Sequence, residues 1–527
     1  MFCVSGCLVC LPLLPRMNKA GKWIIALAVV LPTLLEVIDT SVVNVSLDHI
    51  RGSLSAGIDE ATWAITAYLV SNAIIIPLTG WLSRVFGRKR YLLFSVTLFT
   101  FSSFLCGSAT TLFALVFFRI IQGIGGGALQ PISQAILLEA FPPAEYGMAM
   151  ALFGVGIMFG PIVGPVLGGW ITDNWSWNWI FYINIPIGII SVLMIMLFIQ
   201  DPPYLKRIKE KIDYIGLSLI VVGIGCLQVL LDKGQREDWF SSQFIMRLAI
   251  VSVVCLAVFI FWELRRREPI LNLRQLKNVS FASANLIQCV TFFVLFGSIL
   301  LLPLFVQQLL GYNAFLSGMV LAPGGIATLI SMPISGKLIQ KVNPKAVLAT
   351  GLLITTYSVF TMSRFNTYID FNTVAFSRII MGFGMGMVFV PLTSLAFSTI
   401  KKEEMGNATS IFGVLRNIAG SFGIAIMTTL LARRAQFHQF RLSEQLNPFD
   451  QRYQLGVHKA MAVLGYKTGS GSVSAANGVI YQHLVKQSRL FSFTDAFYFS
   501  TLLMLCIIPV VFLLKSPKNL DKTIVVH

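Results

Sequence analysis

The chain consists of apolar segments of roughly 18–25 residues, each long enough to cross a bilayer core as a helix, separated by short polar stretches. Helices satisfy every backbone hydrogen bond within lipid, and the two-residue alternation of a membrane β-barrel is absent. We therefore predict an all-α membrane protein. Fourteen segments fit this description: 23–45, 62–82, 91–109, 112–135, 148–170, 179–199, 213–231, 245–263, 281–305, 316–338, 346–363, 373–397, 408–431 and 494–514.

The basic residues are distributed in a way that predicts the orientation of these helices. The formal net charge is +17, but only 12% of residues are charged and mean hydropathy is +0.77, so we expect membrane lipid rather than nucleic acid as the environment. With a cytoplasmic N-terminus, the inner segments carry 24 Lys and Arg residues and the short outer loops carry five. This bias predicts an inner-membrane, multi-pass protein with both termini in the cytoplasm.

The N-terminal segment 1–22 is expected to be cytoplasmic and needs a separate interpretation. Residues 1–16 are too short to span a bilayer and precede a second plausible start at Met17, so we interpret them as a misassigned start, with a signal peptide as the alternative. The eight Cys residues form no paired CxxC pattern. Neither a disulfide framework nor a metal site is predicted.

Two fragments recur in the second half of the chain. The run that starts at Arg119 and continues Ile-Ile-Gln-Gly returns at Arg378 as Arg-Ile-Ile-Met-Gly, and Gly80-Trp-Leu returns as Gly336-Lys-Leu. Such repeats mark transporters built from duplicated halves. We predict a six-helix bundle at 23–199, two inserted helices at 213–263, a second six-helix bundle at 281–515 with an external, partly helical loop at 432–493, and a cytoplasmic tail at 516–527.

The loop between the second and third predicted helices is glycine-rich and basic. Its glycines permit close helix approach and a tight turn, while its cations can bind helix C-terminal carbonyls and carboxylates. A simple positive-inside anchor is the alternative. The predicted loop gate comprises Gly80, Arg84, Gly87, Arg88 and Lys89.

Arg119 lies within the apolar fourth segment. A guanidinium in lipid requires a partner or a wet cavity, and the leading partner is Asp39 on the first helix, with Glu36 one turn away. A carboxylate that alternates between pairing with Arg119 and binding a proton would couple proton movement to conformation. A static structural ion pair is the alternative.

Glycine dominates the fifth predicted helix. Glycines every four residues form a smooth face for a neighbouring helix, and two prolines predict kinks. The residues concerned are Gly156, Gly160, Pro161, Gly164, Pro165, Gly168 and Gly169.

Polar residues in other segments are more typical of hydrogen bonds between helices than of cargo contacts. The candidates for a substrate cavity are Asn44, Gln130, Gln134, Gln288 and Gln307. There is no ATP-binding loop and no hydrolase or dinucleotide fingerprint, so neither an enzyme nor an ATP-driven pump is predicted. We expect a secondary transporter without a cofactor.

Taken together, these pieces resemble the major facilitator superfamily, in its fourteen-helix drug/proton antiporter branch of the EmrB/QacA type. The resemblance covers residues 20–515 and rests most on LEVIDTSVVNVSL (35–47), GWLSRVFGRKR (80–90), RIIQGIGGG (119–127), the antiporter signature GPVLGG (164–169) and WIFYINIPIG (179–188).

The resemblance implies the major facilitator fold and proton-coupled export of small hydrophobic or amphipathic toxic compounds by alternating access. It also implies that Asp39 and Arg119 take part in proton coupling, and that 432–493 contacts a periplasmic adaptor protein and an outer-membrane channel. The usual acidic residue of the loop motif is replaced by Arg84, so an aspartate-based gate is not carried over. The alternatives are an exporter of one physiological solute (a fatty acid, a siderophore or a metabolite) and a membrane-embedded sensor or scaffold without transport.

Overall fold

The structure is a computed structural model that describes residues 19–201, 213–266, 269–444, 446–447, 449–468 and 472–515. The predictions made for residues 1–16, for the basic residues 206–211 and for the tail 516–527 lie outside these ranges. Within them every regular element is helical.

Fourteen long helices follow the order predicted from the sequence, so the all-α membrane fold is confirmed. Thirteen of the described helices are long and apolar enough to cross a membrane, and α5, with its apolar part Tyr146–Gly160, completes the set. They are α1 (Lys19–Val45), α2 (Trp63–Phe86), α3 (Arg88–Gly107), α4 (Leu112–Gly126 and Leu129–Ala140), α5 (Tyr146–Asn174), α6 (Trp179–Tyr182 and Asn184–Phe198), α7 (Tyr214–Lys233), α8 (Gln243–Arg265), α9 (Val279–Leu310), α10 (Ala314–Leu338), α11 (Pro344–Met362), α12 (Phe371–Phe397), α13 (Met405–Glu444) and α14 (Val473–Ile507).

Short polar side chains start several of these helices. Asn278 accepts hydrogen bonds from backbone N–H groups in the first turn of α9, Asn313 does the same for α10, and Asp370 for α12. Such caps satisfy N–H groups that have no partner within the helix. Gly87, with a φ of +86°, is the single residue that separates α2 from α3, because that backbone conformation favours glycine.

The helices form two bundles joined by the inserted pair. Helices α1–α6 pack together as the N bundle and α9–α14 as the C bundle, while α7 and α8 pack against each other. Helix α7 contacts both bundles: Asp232 accepts a hydrogen bond from Thr66 on α2 at 2.5 Å, and Gln228 accepts one from Ser421 on α13 at 3.1 Å. The exact domain limits 23–199, 213–263 and 281–515 remain predictions.

The bundles meet at the end of the molecule where α1 begins, called here the N side; the opposite end is the far side. Helix α2 reaches α13 where Gly80 lies against the backbone of Gly406, and α5 reaches α10 where Gly147 faces Gly336. Toward the far side of α5 and α10, a Cβ atom added at Gly169 or at Gly318 would have no neighbouring atom within 4 Å. The structure is therefore closed on the N side.

The predicted external segment 432–493 contains more regular helix than expected. Helix α13 continues to Glu444, a separate helix spans Gln451–Thr468, and α14 already begins at Val473. Helix α14, which carries most of the predicted span 494–514, begins well before that span, because a hydropathy pattern detects only the membrane part of a helix. Asp495 lies well inside α14 and binds Arg434 and His438 of α13.

Candidate functional site

The innermost charged group of the N bundle is an ion pair between α1 and α4. Arg119 Nη1 lies 2.6 Å from Asp39 Oδ2, with side-chain exposures of 1% and 0%. The same guanidinium donates hydrogen bonds to Gln122 Oε1 at 2.8 Å and to the Ala64 carbonyl at 3.1 Å, and it stacks 4.1 Å above the ring of Tyr68. Since the pair is fully desolvated, these extra hydrogen bonds are what makes its burial tolerable.

The second oxygen of Asp39 is also satisfied. Oδ1 accepts hydrogen bonds from Gln122 Nε2 at 3.0 Å and from Asn184 Nδ2 at 2.8 Å. Asn184, at the start of the second segment of α6, also donates to Ser103 Oγ. Asp39 is thus an acceptor for donors from α4 and α6, and a proton bound there would remove the negative charge that strengthens these hydrogen bonds.

Glu36, one turn before Asp39, belongs to a different set of contacts. Its Oε1 accepts a hydrogen bond from Asn72 Nδ2 at 3.1 Å and its Oε2 accepts one from Gln130 Nε2 at 2.5 Å. Gln130 Oε1 in turn accepts a hydrogen bond from Arg416 on α13, whose guanidinium lies 5.6 Å from the ring of Phe292. This chain of side chains crosses from the N bundle to the C bundle.

Arg416 is the residue that sequence reasoning missed. It lies within the predicted segment 408–431, so the rule that singled out Arg119, a charge inside an apolar segment, applies to it equally. Its partner could not be found from local spacing, because Gln130 is 286 residues away in the sequence.

The repeated glycines of α5 face α1. A Cβ atom added at Gly156 would lie 2.7 Å from Val30, one at Gly160 2.5 Å from Val37, and one at Gly164 2.4 Å from Ser41. All three distances are shorter than side-chain carbons approach one another. A Cβ atom at Gly168 would lie 3.1 Å from Val42, and one at Gly169 would have no neighbour within 4 Å. Helix α5 passes through 161 and 165 without a break. The predicted smooth face is thus in contact with the helix that carries Asp39 and Glu36.

The loop motif between α2 and α3 lies at the N-side closure. Arg88 is buried and pairs with Glu139 at the end of α4, and the amide of Lys89 donates to Asp201 at 2.8 Å. Two basic side chains donate hydrogen bonds to backbone carbonyl oxygens. Lys89 Nζ donates to the carbonyl of Met196, near the end of α6, at 2.7 Å, and Arg84 Nη2 donates to the carbonyl of Pro269 at 3.2 Å. The motif therefore ties α2 and α3 to α4, to α6 and to the segment before α9.

The five cavity candidates do not come together. Gln134 donates to Met150 Sδ and Gln288 to the Phe412 carbonyl, so both are used in contacts between helices of one bundle. Asn44 and Gln307 are exposed, and Gln130 alone lies between the bundles. A cavity of about 280 Å³ lies on the far side instead, lined by Gln308, Tyr481, Gln482, Val485, Lys486 and Arg489.

Comparison with known proteins places this architecture in a family. The model of the Major Facilitator Superfamily matches residues 29–424. The chain is 36% identical to the multidrug export protein EmrB of Escherichia coli (strain K12), over 94% of this chain and 95% of that protein. It is 34% identical to the fatty acid resistance protein FarB of Neisseria gonorrhoeae, over 95% and 98% of the two chains.

A solved structure supports the fold alone. A double tryptophan mutant of the sugar transporter XylE superposes with a TM-score of 0.60 at 14% identity, over 95% of this chain and 98% of that one. The family match and the two long alignments lead to one conclusion: the chain belongs to the major facilitator superfamily and is a multi-pass membrane transporter of the EmrB multidrug efflux type.

Proposed function

We propose that the protein is a proton-coupled antiporter that exports small hydrophobic or amphipathic toxic compounds across the inner membrane by alternating access. The carrying observation is the buried Asp39–Arg119 pair, held by three hydrogen bonds with two further side chains, Gln122 and Asn184, inside the N bundle. A carboxylate in lipid is rarely kept without a role in ion or proton movement. Export of more than one toxic compound is supported by the similarity to EmrB.

Orientation follows from the basic residues. Arg84, Arg88 and Lys89 lie at the N side, as do Lys337 and Lys402, and such clusters are typical of cytoplasmic loops. With the N side in the cytoplasm, closure there corresponds to the outward-facing state of a transporter. In this state Asp39 and Glu36 would take up protons from the outside, and the same groups would release them once the bundles open inward.

Asp39 can change its charge without leaving Arg119 unsatisfied. When a proton binds to Asp39, the guanidinium keeps its hydrogen bonds to Gln122 and to the Ala64 carbonyl and its contact with the Tyr68 ring. The energetic penalty of an unpaired buried cation is therefore reduced. This supports a proton-binding role for Asp39, with Arg119 as its charge partner and Glu36 as a second carboxylate.

The test of this proposal is a toxicity panel in a host that lacks its own efflux pumps. We expect the protein to raise resistance to several unrelated hydrophobic compounds and this protection to disappear when an uncoupler collapses the proton gradient. In everted vesicles, addition of cargo should release protons from the interior. Resistance to one solute class alone, such as fatty acids, would favour the single-solute alternative, and cargo flux independent of the gradient would contradict proton coupling.

A periplasmic adaptor protein and an outer-membrane channel are the proposed partners of the far-side extensions. Helices α13 and α14 extend together, joined by the Arg434–Asp495 contact at 2.6 Å, and the helix Gln451–Thr468 packs against α14. Their solvent-exposed residues, including Leu455 and Tyr481, offer a surface outside the membrane core.

Replacement of Gln451–Thr468 by a flexible linker of equal length tests this partnership. We expect cargo uptake into everted vesicles to stay at the wild-type level and resistance in whole cells to fall, because cargo would no longer enter a duct. A variant with the exposed Tyr368 changed to Ser, on a different far-side loop, serves as the control. Equal resistance of the linker variant and wild type would contradict the partnership.

A further inference from the structure

One hydrogen-bonded chain connects a membrane carboxylate to the opposite bundle. Arg416 of α13 donates to Gln130 Oε1, and Gln130 Nε2 donates to Glu36 Oε2 at 2.5 Å. The Asp39–Arg119 cluster, by contrast, draws all its partners from the N bundle. A change of charge at Asp39 therefore has no direct contact through which to alter the packing of the C bundle, whereas a change at Glu36 has one.

Arg416 lies at the far-side limit of the region in which α13 contacts the N bundle. On its N side, α13 touches the N bundle at Gly406, beside Gly80, and at Gly413, beside Ile76 and Pro131. Beyond Arg416, α13 contacts α7 and α9: Ser421 donates a hydrogen bond to Gln228, and a Cβ atom added at Gly423 would lie 2.3 Å from the Phe293 carbonyl oxygen. The bridge is thus placed where the bundles begin to separate.

The charges around the bridge explain why it depends on Glu36. The group that Arg416 contacts directly is the neutral amide of Gln130. The negative charge that balances the Arg416 guanidinium is therefore that of the Glu36 carboxylate, on the other side of this amide. The neutral groups that face Glu36 are Asn72 and Tyr68 from α2 and Gln130 from α4. The charged groups are Arg416 from α13 and Asp39 on its own helix, which is already paired with Arg119. Helix α5 presents glycines to α1. A proton on Glu36 would leave the Arg416 charge without a counter-charge on that side.

We propose that Arg416 is the positioning residue that transmits the charge of Glu36 across the bundle interface, so that proton uptake weakens the N-side closure and favours the inward-facing state. The inference rests on the proposed proton coupling and specifies how the N bundle communicates with the C bundle. A ligand or proton shifts a conformational equilibrium only through contacts that differ between the two states, and opening of the N side would move Arg416 of the C bundle away from Gln130 of the N bundle.

The experiment measures the separation of the far-side ends directly. Spin labels at Phe113→Cys and Tyr368→Cys, 83% and 94% exposed on opposite bundles, are placed in a background from which the native Cys residues are removed. In lipid nanodiscs, we expect the distance between the labels to shorten from alkaline to mildly acidic pH in the wild-type chain. R416Q and E36Q should each show the shorter distance at both pH values, and the double variant should show no further change.

Matched variants separate this role from general damage. R416K keeps a cation and should retain part of the pH response. R378Q removes another buried arginine whose hydrogen bonds go to Ser298 and Met381 within the C bundle, and should retain all of it. In R416Q, the ratio of molecules closed on the N side to molecules open on the N side should be lower than in the wild-type chain by roughly tenfold or more. This is the change in population expected from the loss of one hydrogen bond to a charged group.

A normal pH response in R416Q, or an equal loss in R378Q, overturns the inference. The result is distinguishable from failure of the proposed function, since the label distances are measured without cargo. If the wild-type chain shows proton-driven efflux and R416Q shows a normal distance response, proton coupling stands and the bridge is rejected. If the wild-type chain shows neither efflux nor a response to pH, the proposed function itself is rejected.

Discussion

The substitution D39N is expected to abolish proton-driven efflux. Asparagine has nearly the same shape as aspartate and can still accept hydrogen bonds from Gln122 and Asn184, but it neither binds a proton nor balances the charge of Arg119. Cargo uptake into everted vesicles, driven by an imposed proton gradient, should fall to the level of vesicles without the protein. Exchange of cargo across the membrane without a gradient is the second measurement, because it reports alternating access alone.

The controls for D39N address its effect on folding. Breaking a buried ion pair by removing one partner typically costs about 3–5 kcal/mol, so the amount of inserted, monodisperse protein must be compared with wild type. D39E retains a titratable carboxylate and should recover part of the efflux. D48N, at an exposed aspartate just beyond the far-side end of α1 that lies 3.7 Å from Arg51, should behave as wild type. Normal proton-driven efflux by D39N would contradict proton coupling through this residue.

The alternative of a static ion pair makes a different prediction. If Asp39 and Arg119 only stabilise the N bundle, D39N and R119Q should lower the yield of folded protein in parallel with efflux, and the efflux per folded molecule should keep its pH dependence. If they couple protons, the protein that does insert should have lost that dependence. The ratio of efflux to inserted protein, measured across pH, distinguishes the two.

The number and order of the helices were predictable because lipid imposes a strict rule on the backbone. Every spanning segment must be apolar for about 20 residues, so α1 to α14 are visible as hydropathy peaks. The rule gives no helix bounds outside the bilayer, which is why 432–493 could be predicted only as partly helical, without the continuation of α13 to Glu444 or the start of α14 at Val473. The extensions of α13 and α14 are held together by polar contacts such as that of Arg434 with Asp495.

The candidate site was predictable in part for a similar reason. Charges in lipid are rare, so Arg119 had few possible partners and Asp39 was the first among them. Gln122 and Asn184 give no such signal, since an amide is tolerated in many membrane helices. The bridge from Glu36 to Arg416 depends on how two bundles far apart in the sequence pack, and only the structure brings those residues together.

The glycine face of α5 is expected to be equally sensitive, through packing rather than charge. At Gly160 an added Cβ would lie 2.5 Å from Val37 Cγ1 and 2.8 Å from the backbone carbon of the same residue, so the conflict involves the main chain of α1 and cannot be relieved by a side-chain rotation. Val37 immediately follows Glu36 and lies two residues before Asp39. A displacement of α1 at this point would therefore misplace both carboxylates.

We expect G160V to reduce efflux to background and to destabilise the protein by about 1–3 kcal/mol, the usual cost of overpacking a close contact. The matched control is G169A in the same motif, where an added Cβ has open space, and it should retain wild-type efflux. The measurements are drug resistance, vesicle efflux and the thermal unfolding temperature in detergent. If the smooth face matters only because it lets α1 and α5 approach each other, the smaller substitution G160A should cause an intermediate loss of efflux. Equal efflux by G160V and G169A would show instead that this helix contact is dispensable for transport.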